Sequence, residues 1–195
     1  MNDMKKINIK NITLSAMFIA LGLVLPFITG QIPQIGSMML PMHIPVLLLG
    51  LICGWKYGLA VGFITPVLRS FMFGMPPLFP SAIAMAFELA VYGFVIGLLF
   101  NKIKWKCIYT VFFSLFTAMI CGRVAWGLVS MLFYGILGKG FTWQMFMAGA
   151  FVNAIPGIIL QLVLIPSLMA LLNRTGMVRF THRSGRKNEG IGSNI

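Results

Sequence analysis

Between Ile9 and Leu172 the chain is a succession of apolar runs, with charge confined mostly to the short breaks between them. A membrane-spanning helix needs about 20 mostly apolar residues, so the sequence has room for about six of them with short connections. Of its 195 residues, 59% are hydrophobic and 9% charged. A soluble domain carries about 45–50% apolar and about 25% charged residues, so this chain requires a solvent other than water. The reading is an all-α membrane protein: a bundle of six transmembrane helices forming one integral membrane domain over 1–195. The core covers about 8–174, followed by a basic cytoplasmic tail over 175–195. No stretch is polar and long enough for a second, soluble domain.

Six spans are expected at about Ile9–Ile28, Leu40–Gly54, Tyr57–Phe73, Ser81–Phe100, Cys107–Leu137 and Phe141–Leu172. The second is short and the fifth and sixth are long. Pro156 predicts a kink in the sixth, because proline removes a helical hydrogen bond. The basic start and first apolar run are followed by no A-x-A-like site, so the run is read as a retained helix. Cys53, Cys107 and Cys121 are odd in number and lie in or beside apolar runs, which predicts no disulfide framework and no zinc site.

The net charge of +12 does not point to nucleic acid, because the basic residues are distributed among the breaks and tails. With the N-terminus in the cytoplasm, Lys5, Lys6, Lys10, Lys56, Lys102, Lys104, Lys106, Arg174, Arg179, Arg183, Arg186 and Lys187 fall inside and only Lys139 outside. That asymmetry predicts an even number of spans with both termini cytoplasmic. Glycines 54, 58 and 62, alanines 82, 86 and 90, and then glycines 93 and 97 form rows of small residues that let helices pack closely.

Arg69, Glu88 and Arg123 are the ionisable side chains placed inside spans, where charge is costly and faces the protein interior. At about 1.5 Å per residue they lie about 7, 11 and 20 Å below the outer ends of their helices. His43 sits near the outer start of the second span, and Asn153 lies about 18 Å along the sixth. These five groups converge on a site open to the outside. Glu88 aligns with Ala84 and Tyr92, Arg123 with Trp126 and Ser130, and Asn153 with Gly157 and Gln161.

Structural roles stand beside the functional ones. Arg69 and Glu88 are expected to pair across the third and fourth spans, Arg123 has no acidic neighbour that depth alone can place, and Gln161 reads as packing. Asn153 is also suited to interhelical bonding, and His43 to an interfacial position. Two arginines and one glutamate sum to +1, which a monocarboxylate would neutralise. Arg123 is assigned that carboxylate, Asn153 a donor role beside it, and Arg69, Glu88 and His43 the surrounding wall.

No G-x-S-x-G, H-E-x-x-H or G-x-x-x-x-G-K-[ST] pattern occurs. The sequence thus offers no hydrolytic triad, metal site or ATP site of its own, and no cofactor is expected. The open alternatives are a stand-alone secondary transporter or channel, which would move solute unaided, and a membrane enzyme, which would turn over substrate in detergent.

Over about residues 8–174 the chain resembles the substrate-binding S component of energy-coupling factor (ECF) vitamin importers. The resemblance rests on size and span number, on Ala16-Met-Phe-Ile-Ala20, and on LPMHIPVLLLGLICGWKYGLAVGFITPVLRSFMFGMPPLFPSAIAMAFELAVYGFVIGLL. This last run is similar to S components of the pantothenate-type and related vitamin group. The resemblance implies a multi-pass protein of the bacterial plasma membrane that is not itself an enzyme. It implies capture of a vitamin or precursor from outside, with pantothenate the best guess and nicotinate, lipoate and biotin compatible in charge. It also implies one coupling membrane subunit and two cytoplasmic ATPases as partners, toppling of the S component driven by ATP, Ala16 and Ala20 at the coupling interface, and a lid over Gly30–Met39.

Overall fold

A computed structural model describes residues 9–28, 40–103, 107–138, 140 and 142–174. The expected lid at 30–39 and the tail at 175–195 lie outside these residues, as do Lys5, Lys6, Lys104, Lys106 and Lys139. Among the described residues, every regular element is helical. The helices are α1 (Ile9–Ile28), α2 (His43–Cys53), α3 (Trp55–Phe73), α4 (Ile83–Lys102), α5 (Ile108–Ile136), α6 (Trp143–Met147) and α7 (Ile155–Arg174). A kinked segment at Leu78–Ala82, with Phe79 in extended backbone, precedes α4, and a wide π turn at Ala148–Val152 precedes α7.

Four segments are long and apolar enough to cross a membrane: Ile9–Phe27, Leu78–Lys102, Ile108–Ile136 and Ile155–Arg174. Their outward faces carry large apolar side chains, such as Phe113, Leu128 and Val163, each more than half exposed. In a bilayer such faces meet lipid. α2 differs in kind. Its 11 residues reach about 16 Å, half of a bilayer core, and every residue from His43 to Leu51 is buried. It packs against α1, α3, α4 and α7, which explains why it carries no amphipathic pattern: a helix covered on all sides is apolar all round.

α4 lies at the centre, in contact with α2, α3 and α5. The small-residue rows meet at its junction with α3. A Cβ on Gly93 would collide with the Gly58 backbone, and one on Gly62 with the Leu89 carbonyl. Ala86 and Ala90 are buried along α4, and Ala82 is buried just before it. These contacts turn one face of α4 toward α3 and leave the opposite face for α2 and α5.

The sixth span is not one kinked helix. It breaks into α6, the π turn and a turn at Asn153–Ala154 before α7 begins. Pro156 takes the second position of α7, where a missing N–H costs nothing, but it cannot continue a helix arriving from before. α6 starts at Thr142, whose hydroxyl caps the Met145 N–H at 3.3 Å. It lies against α5 through Phe146, which stacks with Trp126 and sits over Gly127.

Candidate functional site

The first residue of α2, the second turn of α4 and the middle of α5 bring three titratable side chains together. Arg123 Nη1 donates to Glu88 Oε1 at 3.0 Å, and His43 Nε2 lies 3.4 Å from the same oxygen. All three are buried, with His43 at 0%, Glu88 at 2% and Arg123 at 4% exposure. Tyr92, one turn beyond Glu88 on α4, packs its ring edge-to-face on His43 at 5.1 Å and stands beside Arg123. Gly122 makes this possible, because a Cβ there would come within 2.7 Å of the tyrosine ring.

This arrangement corrects the expected pairing of Arg69 with Glu88. Glu88 sits on α4 opposite the alanine–glycine row that packs on α3, so it faces α2 and α5. Equal depth does not bring two side chains together when the helix turns them apart. Arg69, also buried, donates through Nη1 to the Leu23 carbonyl of α1 and lies over the rings of Phe27 and Phe73, 5.2 and 5.5 Å from their centroids. Pro26 lies just beyond Leu23 in α1. Pro26 has no N–H to offer the Gly22 carbonyl, so Arg69 bonds the carbonyl next to this opened turn. Arg69 thus fastens α1 to α3, and its cation is stabilised by aromatic faces rather than by a carboxylate.

Asn153 also departs from its expected position. It is exposed in the turn before α7, about 10 Å nearer the α5–α6 end of the bundle than the level of Arg123, at about 1.5 Å per residue. The helix break ahead of Pro156 moves it there, so it is not a donor beside Arg123. Gln161 on α7, by contrast, is buried at 1% exposure. Tyr92 is a member of the cluster that the sequence reading leaves out. For Tyr92 the sequence signal was its place one turn from Glu88 on the same helical face.

The cluster is incompletely bonded. Arg123 Nε and Nη2, His43 Nδ1 and Gln161 Nε2 are buried without a hydrogen-bond partner among the described residues. Nε–H and one Nη2–H lie side by side on one edge of the guanidinium plane, the edge that receives both oxygens of a carboxylate. Glu88 occupies Nη1 and leaves that edge bare. A buried donor left unmade costs about 1–3 kcal/mol, so the arrangement favours an incoming oxyanion. Among the described residues no group of three His, Cys, Asp or Glu is placed to hold a metal. The family model described as ECF transporter, substrate-specific component, matches residues 10–169. No curated protein and no solved structure matches the chain.

Proposed function

The chain belongs to the ECF transporter substrate-specific component family, and on that premise we propose that it captures a small monocarboxylate from the outer side of the cell membrane on the bare edge of Arg123. That edge, with Nε and Nη2 buried and unpartnered among the described residues, is the observation that carries the reading. Glu88 holds the guanidinium through Nη1, and His43 lies on the same carboxylate oxygen.

Pantothenate is the substrate proposed first, with biotin, lipoate and nicotinate as monocarboxylates of the same charge. The bundle sits with six segments in the membrane and both termini cytoplasmic, a reading supported by the lysine and arginine asymmetry. One coupling membrane subunit and two ATPases supply the energy for release. Ala16 and Ala20 are exposed on α1, which suits a smooth contact for the coupling subunit and argues against packing inside this chain.

Titration of the purified protein with pantothenate tests the site. Arg123→Lys should bind measurably but more weakly than wild type, because an ammonium cannot reproduce the planar fork. Equal affinity in the two proteins would remove Arg123 from the site.

A further inference from the structure

Resting on the carboxylate reading of Arg123, we infer that Gln161 is a second substrate contact. Its side-chain amide donates to a neutral oxygen acceptor, a hydroxyl or an amide carbonyl, on the body of the substrate. The site then selects monocarboxylates that carry such a group over those that do not.

Position and bonding both point to this. α7 packs against α5 and α2, the helices that carry Arg123 and His43. Counted from the end of the bundle holding Lys102, Ile108 and Arg174, the residues Glu88, Arg123 and Gln161 stand at about 21, 22 and 20 Å, at about 1.5 Å per residue. Gln161 is therefore level with the ion pair, and at 1% exposure it faces the bundle interior. Its Nε2 has no partner among the described residues. A glutamine that only holds helices together bonds a neighbouring backbone or side chain, and this one leaves its donors unmade.

Ser114 shows the contrast. Its hydroxyl is also buried and unpartnered, but Thr13, Ser15, Thr65, Thr117 and Ser167 each donate to the carbonyl four residues earlier. A turn about χ1 gives Ser114 the same bond, and it stands about 14 Å from the level of Arg123. The Gln161 amide has two donors to place and no such local remedy.

Two probes separate the contacts. Pantothenate carries hydroxyls and an amide besides its carboxylate; lipoate carries no oxygen beyond its carboxylate. In calorimetric titrations, wild type should bind pantothenate at least about ten-fold more tightly than lipoate, and Gln161→Leu should weaken pantothenate about ten-fold while leaving lipoate within about two-fold. Gln161→Met serves if the leucine variant does not fold. The inference is overturned if the Gln161 variant keeps full affinity for pantothenate, if it weakens both probes alike, or if wild type prefers lipoate. Arg123→Lys, measured beside it, should weaken both probes. If Arg123→Lys changes neither, the carboxylate reading itself fails; if it weakens both while Gln161→Leu changes neither, only the role of Gln161 falls. Failure of wild type to bind either probe removes both.

Discussion

Replacing Arg123 with alanine removes half of a buried ion pair and, on the proposed reading, the carboxylate contact as well, and different assays read the two losses. A charge-assisted hydrogen bond contributes about 1.5–3 kcal/mol. At about 1.4 kcal/mol per decade, loss of the carboxylate contact weakens pantothenate binding about 10- to 100-fold. The same change strips Glu88 Oε1 of its 3.0 Å partner at 2% exposure. Breaking a buried pair from one side costs about 3–5 kcal/mol, so Arg123→Ala should also unfold at a clearly lower temperature in detergent. Arg123→Met combined with Glu88→Gln separates the effects. It removes both charges, keeps a side-chain oxygen for His43 Nε2, and preserves volume. Stability should return most of the way toward wild type, while binding stays lost. Calorimetric titration and thermal unfolding on the three proteins supply both readouts. Wild-type affinity in the double variant would refute the reasoning, because the carboxylate would then be held elsewhere.

Arg69→Ala and Glu88→Ala should destabilise additively, within about 0.5 kcal/mol in a double-mutant cycle, because Arg69 bonds Leu23 and not Glu88; a large coupling energy would restore the ion pair between them. Gly93→Val should prevent stable folding, since its Cβ meets the Gly58 backbone and backbone cannot move aside as a side chain can; a well-folded variant by size-exclusion chromatography would contradict the α3–α4 packing. Ala16→Trp and Ala20→Trp should abolish uptake in cells yet leave substrate binding and unfolding temperature unchanged, as both alanines are exposed. Loss of stability instead would mean that they pack within the chain.

Much of the helical layout was legible because a bilayer imposes a length on apolar runs. α1 ends where expected, and α5 differs by one residue at each end. The sixth span misled because hydropathy does not register a π turn and two turn residues in an apolar segment; Pro156 signalled the break but not its extent. The ion pair was missed for a geometric reason. Depth along the helices matches Arg69 with Glu88, but azimuth separates them. Glu88 lies opposite Ala86, the Ala86 row packs on α3, and so Glu88 had to face away from Arg69. That Arg123 was its partner required knowing that α5 lies on the far side of α4, which spacing along the chain does not encode. The bare edge of Arg123 belongs to the fold alone, because which guanidinium nitrogen Glu88 takes depends on side-chain geometry.

The central claim is that a single carboxylate docks on Arg123 within this membrane bundle. Mass spectrometry of the small molecule carried through gentle detergent purification of wild type and Arg123→Ala tests it most directly. The account predicts a monocarboxylate retained by wild type and absent from the variant. A neutral or cationic molecule in wild type, or the same carboxylate retained equally by both proteins, would contradict it.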